Sequence, residues 1–168
     1  MQNRNIRLIV TGGTFDKRYD PIKGLLDFKK THLPEILKIV RPNINVILEN
    51  KILVDSLEMT DEDRNQILES CKESEEQLII ITHGTDTMSV TAEALGRVFS
   101  EKDKTIVLTG AMVPYTITGS DALFNLGSAF AAVQLLSPGV YISMNADIFP
   151  WNNVKKNKAE GRFQPLKK

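Results

Sequence analysis

An α/β fold, a doubly wound and mostly parallel five-stranded sheet with helices on both faces, is what the 168-residue sequence predicts, and three observations carry it. Short runs rich in β-branched residues alternate with longer stretches whose apolar residues recur at three- and four-residue spacing, the pattern of βαβ units. Three of the runs end in turns rich in glycine and threonine, as strands do where a parallel sheet presents its carboxyl edge to ligands. The composition, 42% apolar and 25% charged, is that of an ordinary globular chain, and the length corresponds to one domain over residues 1–168.

The first strand, Ile6–Val10, stops at Thr11-Gly12-Gly13-Thr14, where glycine permits a tight turn. Asp16–Lys30 has no apolar periodicity and reads as a mobile loop over the sheet edge. The first helix, His32–Arg41, starts after Thr31 with Pro34 in its first turn and ends before Pro42. In Asn45–Val54 the apolar residues Val46, Leu48, Ile52 and Val54 suggest a half-exposed edge strand, although Glu49-Asn50 equally suits a hairpin turn. Thr60-Asp61-Glu62-Asp63 opens the second helix as a capping-box-like signal, its acidic side chains at the positive end of the dipole. Cys71, the lone cysteine, cannot form an internal disulfide, and beside Ile67 and Leu68 it reads as a core or half-buried residue.

The third strand, Leu78–Thr82, leads into a helix opened by Asp86-Thr87, with Val90, Ala94, Leu95 and Val98 expected on its core face. The fourth strand, Thr105–Thr109, precedes a helix capped by Ser120 or Asp121 and ended by Pro138-Gly139, with Leu123, Leu126, Ala129, Phe130, Val133 and Leu136 as its buried stripe. Val140–Met144 is the fifth strand, and Trp151 is expected to cover the end of the sheet.

Charge and motif content exclude several functions. The 21 basic and 21 acidic residues cancel, which argues against a nucleic-acid partner, and Lys155, Lys156, Lys158, Lys167 and Lys168 read as a solvated tail, except for whichever lysine folds back into a site. No apolar run approaches the ~20 residues of a membrane span, and Met1–Asn5 has no leader pattern, so no membrane partner and a cytoplasmic location are expected. The first turn lacks Gly-x-Gly-x-x-Gly, and no Gly-x-x-x-x-Gly-Lys-Ser/Thr loop occurs, which weighs against a nucleotide binder.

In the flavodoxin-like strand order 2-1-3-4-5, Rossmann-like in its layering, the first and third strands are neighbours with the switch point between them. Thr14 would then face Thr85 and Asp86, with Thr109-Gly110-Ala111-Met112 on the same rim. Any one such turn is explained by capping and turn formation, whereas three on one rim point to a small-molecule site. His83 is expected to be a hydrogen-bonding strut under its turn rather than an acid–base group.

Thr11-Gly12-Gly13-Thr14, Thr82-His83-Gly84-Thr85-Asp86-Thr87-Met88, Thr109-Gly110-Ala111-Met112 and Ser120-Asp121-Ala122-Leu123-Phe124-Asn125-Leu126 also resemble, in order and spacing, the asparaginase/glutaminase amidohydrolase family with a threonine nucleophile. The resemblance covers essentially the whole chain but corresponds only to the family's larger N-terminal domain; the smaller C-terminal domain is missing, the chain ending at Lys168 where the linker would begin. It implies hydrolysis of L-asparagine, or a related small amide, to L-aspartate and ammonia through a threonyl acyl-enzyme, without cofactor or metal. Thr14 would be the nucleophile, Tyr19 its hydrogen-bonding partner on a closing lid, and Thr85, Asp86 and Lys156 the second cluster, with Lys155 in place of Lys156 if the register is off by one. Asp86 would also hold the substrate's α-amino group and Ser56 its α-carboxylate, while Glu58, Gly84 and Ala111 complete the expected substrate-binding set. Phe15 and Val113 depart from the family pattern, standing where an aliphatic residue and an arginine are usual.

The chemistry fits the residue types. A threonine hydroxyl is a weak nucleophile that needs a neighbouring base, which a lysine supplies directly or through a water, while backbone N–H groups of glycine turns can hold an oxyanion. The absent second domain leads us to expect a homo-oligomer, a dimer or higher, in which another copy covers the rim. The alternative reading is a non-catalytic module that binds a small amino acid on the same rim.

Overall fold

The structure, a computed structural model, describes residues 5–99 and 104–167, so Met1–Arg4 and the tail lysine Lys168 lie outside the described residues. Its central sheet joins β1 (Asn5–Gly12), β4 (Asn45–Val54), β5 (Leu78–Thr82), β6 (Thr105–Thr109), β7 (Gly139–Met144) and β8 (Asp147–Pro150) in the order β4-β1-β5-β6-β7-β8. The first five are parallel and reproduce the expected 2-1-3-4-5 arrangement. The sixth, β8, is an antiparallel addition that the sequence reading lacks, paired with β7 through a two-residue turn, Asn145-Ala146. β4 is one continuous edge strand, and the Glu49-Asn50 signal marks the place where its register against β1 shifts, between Val10 and Gly12.

Side chains alternate across the sheet, and each face has its own helices. Ile9, Ile79, Ile81, Ile106, Leu108 and Ile142 pack against α2 (Asp61–Glu73) and α3 (Met88–Phe99). Ile6, Leu8, Val10, Ile80 and Val107 pack against α1 (Leu33–Val40) and α4 (Ala122–Leu135). Cys71 is fully buried in the first of these cores, where desolvation pushes its thiol up to about 12.

Two expected helix faces are corrected. Val90 is 48% exposed, because α3 buries Met88, Thr91, Ala92, Leu95, Gly96 and Phe99 instead. Leu123 is 47% exposed, the first turn of α4 being buried through Ala122 and Asn125. Trp151, directly after β8, is half-buried and lies on α3: a Cβ added at Gly96 would sit 2.2 Å from its indole.

The loop after β1 is also more ordered than its composition suggests. Thr14–Asp16 form a 3-10 turn, and β2 (Arg18–Asp20) pairs with β3 (Leu25–Asp27) in an antiparallel hairpin. The tail forms a second hairpin, β9 (Lys155–Asn157) with β10 (Arg162–Gln164), in which Lys155 is exposed and Lys156 turns inward. Among the described residues no helix is long and apolar enough to cross a membrane.

Candidate active site

Two glycines let the rim turns touch. Gly13 has φ 72°, a left-handed conformation, and a Cβ there would lie 2.3 Å from the Cα and N of Gly84. A Cβ on Gly84 would in turn meet the Cβ and Oγ of Ser56 at 2.5 Å. The backbones carrying Thr14, Thr85 and the buried Ser56 are thus in direct contact at the switch point, closer than any residue with a side chain allows. The Gly13 N–H donates to Val54 O at 2.9 Å, and Thr87 Oγ1 donates to Ser56 O at 2.8 Å, so both turns are tied to the end of β4.

Lys156 reaches this point from β9. Its ammonium donates to Thr85 Oγ1 at 2.7 Å and to Asp86 Oδ1 at 2.9 Å, with most of the side chain withdrawn from water. An isolated two-stranded hairpin is marginal in water, so its attachment decides where the lysine sits. Phe163, opposite Lys156 in the register, is buried, and its N–H donates to Asn145 Oδ1 at 2.9 Å. Asn145 N donates to Asn125 Oδ1 at 3.3 Å, and Asn125 Nδ2 donates to Gly110 O at 3.0 Å and Asp121 Oδ2 at 2.8 Å. Asp121 also accepts from the N–H groups of Met112 and Val113, at 3.0 and 2.9 Å. A single chain of hydrogen bonds therefore joins the third rim turn to the lysine hairpin.

Sequence reasoning assigns none of that to Asn125 or Asn145, and reads Asp121 only as a possible cap. Asp121 stands at the N-cap, but its side chain accepts from no backbone N–H of α4; Ser120 Oγ instead accepts from Ala122 N at 3.1 Å. An asparagine opening a two-residue turn after a strand was the one available signal.

His83 is the expected strut. It is fully buried, with Nδ1 2.8 Å from Gly84 O and Nε2 2.8 Å from Thr91 Oγ1. The carbonyl can only accept, so Nδ1 is the donor and Nε2 accepts from the hydroxyl. Burial pushes its pKa down to about 4, so the ring is neutral near pH 7. Thr11 and Thr109 spend their hydroxyls on the carbonyls of Thr82 and Ser143 in adjacent strands.

The remaining expected residues converge less. Tyr19, on β2, is 60% exposed, and no hydrogen bond joins its hydroxyl to another described residue. Glu58 is exposed, its N–H taken by Asp55 O at 2.9 Å. Ala111 buries its methyl in the core, leaving only its backbone for a ligand. At the hairpin's stem Lys17 is ion-paired with Asp55. Burial of Asp55 opposes its ionisation, but the Lys17 ammonium and the Leu57 N–H hold its carboxyl below the usual carboxylate range.

Comparison with known proteins agrees with this arrangement. Residues 5–164 match the family model described as asparaginase, N-terminal. L-asparaginase 1 of Escherichia coli K12 is 31% identical over 169 residues, covering 96% of this chain and 50% of that protein. The structure of the thermostable L-asparaginase from Thermococcus kodakarensis superposes with a TM-score of 0.83 at 26% identity, over 98% of this chain and 52% of the other. A probable cytoplasmic L-asparaginase from Campylobacter jejuni gives 0.78 at 28% identity, over 96% and 51%. The chain spans about half the length of these relatives. With a matching family model over nearly all its length and the family's turns meeting at one rim, the chain belongs to the asparaginase family, in the part formed by the N-terminal domain.

Proposed function

We propose that the protein is an amidohydrolase that converts L-asparagine, or a related small amide, to the corresponding acid and ammonia. The observation that carries the reading is Lys156 held by Thr85 and Asp86, whose turn touches the one that bears Thr14 through Gly84 and Gly13. Thr14 Oγ attacks the side-chain carbonyl, and its proton passes to the Lys156 amine, directly or through a water. The oxyanion is held by a backbone N–H of the rim turns other than that of Gly13, which Val54 already occupies; one such donor contributes about 3 kcal/mol to the barrier. The C–N bond then breaks as ammonia leaves with the transferred proton. Water cleaves the threonyl ester by the same path and restores Thr14.

In this reading Ser56 holds the substrate's α-carboxylate, Asp86 its α-amino group with Glu58 adding negative charge, and Tyr19 closes over the site on its hairpin. The Gly84 and Ala111 backbones line the pocket. The likeness to the Campylobacter jejuni protein supports a cytoplasmic location, and the exposed apolar face of α4 supports a homo-oligomer.

Ammonia release from asparagine, glutamine and simple amides tests the proposal. Thr14→Val should retain less than about a tenth of the wild-type kcat, a cost above ~1.4 kcal/mol. Lys156→Met should lose comparably and Lys155→Met little. Aspartate binding without ammonia release from any amide would replace the enzyme with an amino-acid-binding module.

A further inference from the structure

We infer that Asp16 is a positioning residue, a buried clasp that closes the base of the Tyr19 hairpin and fixes the turn carrying Thr14; the inference rests on Thr14 being the nucleophile. Thr14 and Asp16 are the two ends of one 3-10 turn, so whatever holds the Asp16 carboxylate holds the backbone of Thr14. The carboxylate is fully buried. Its Oδ1 accepts from Thr31 Oγ1 at 2.9 Å and from His32 N at 3.0 Å.

The chain leaves this point at Lys17 and returns at Thr31, so one oxygen closes the whole hairpin-bearing segment. The closure is anchored, because His32 is the N-cap of α1 and Leu33 and Ile36 of that helix are buried. Thr31 Oγ1 itself accepts from Leu33 N at 3.2 Å, which leaves its own hydrogen for Asp16. A second stitch, Tyr115 N to Phe15 O at 3.3 Å, holds the middle of the turn.

The carboxylate is costly where it stands. Its Oδ2 is buried without a partner, and among the described residues no Lys or Arg lies within ion-pair distance of it. Desolvation raises its pKa, against the lowering by the His32 N–H and the Thr31 hydroxyl. A small apolar residue would fill the position without that penalty, and it would leave the 3-10 turn unjoined to Thr31 and His32, with the β2–β3 ladder as the remaining link across the segment. The hairpin tip is by contrast open, with Ile22, Leu25 and Leu26 exposed. The clasp thus confines motion to the hairpin that carries Tyr19 and keeps it out of the turn that carries Thr14.

Thr31→Val, which removes the donor while keeping the shape, and Asp16→Ala test this against wild type, with Thr31→Ser as the conservative control. Amide exchange over residues 17–30 should quicken about tenfold in Thr31→Val and Asp16→Ala, and kcat on asparagine should fall about tenfold with KM changed less than about threefold, since a displaced nucleophile slows chemistry more than binding. Thr31→Ser should restore both. Should Asp16→Ala fail to fold, Thr31→Val decides alone. Unchanged exchange, or faster exchange with wild-type kcat, overturns the inference. Absence of ammonia release from the wild type would instead end the amidohydrolase reading, and exchange would still decide whether the clasp exists.

Discussion

His83 carries the chain's clearest pH signature. A histidine in an unfolded chain takes up a proton near pH 6.5, whereas this one, walled in beneath its turn, resists until about 4. Below pH 6.5 the unfolded state therefore binds a proton that the folded state refuses, so the stabilisation is present above 6.5 and lost as pH falls through 4. The loss amounts to about 3 kcal/mol at most. Asp16 works in the opposite sense, its raised pKa favouring the folded state in acid, so the His83 effect is read as a difference between two chains. Urea midpoints from pH 7 to 4 should fall less steeply in His83→Gln than in wild type. Parallel curves would show that the ring is not held neutral. The same low pKa leaves His83 unable to deliver a proton near neutrality, which confines acid–base work at the rim to other groups.

At the scale of elements, the turn between β7 and β8 is the least comfortable piece of backbone. Asn145 and Ala146 have φ of 56° and 64°, the geometry of a two-residue hairpin turn that favours Asn-Gly. Asparagine tolerates this conformation and alanine does not, and Ala146 is exposed, so its methyl contributes no core packing. Ala146→Gly should stabilise the protein by about 0.5–1 kcal/mol, raising Tm by about 2 °C in thermal unfolding. A lower Tm would mean that the turn's strain is already relieved elsewhere.

That same alanine is why β8 escaped sequence reading. The parallel strands were legible because runs such as Leu78–Thr82 are apolar and β-branched throughout, as strands covered on both faces must be. β2, β3, β9 and β10 are three residues each, too short for any alternation to register. Val90 and Leu123 were misplaced because small residues carry little hydrophobic weight, yet Ala92 and Gly96 are where α3 packs, the notch at Gly96 admitting the Trp151 ring. At the site, the glycine and threonine turns were legible as turns, whereas Lys156 was singled out only through the family resemblance, with Lys155 as its alternative. The links through Asn125, Asn145 and Asp121 were not, because each joins segments distant in the chain.

Taken as a whole, the molecule leaves an apolar face of α4 uncovered. α4 has no charged residue between Ala122 and Leu135, and exposes Leu123, Phe124 at 60% and Leu135 at 84%. In the homo-oligomer we propose, this face meets a second copy, and Phe124→Lys should shift the protein to a smaller species in sedimentation velocity. A wild type that stays monomeric at every concentration would remove the proposal.

The hairpin that delivers Lys156 has a consequence in time as well as space. The lysine and the Thr85 it touches are 71 positions apart, and Thr14 lies on the first strand's turn. A chain growing on the ribosome therefore exposes the Thr14 hydroxyl well before Lys156, the base we propose for it, is made. Until Lys156 emerges the nascent protein carries one part of the proposed reaction centre without the other, and translation itself keeps the two apart.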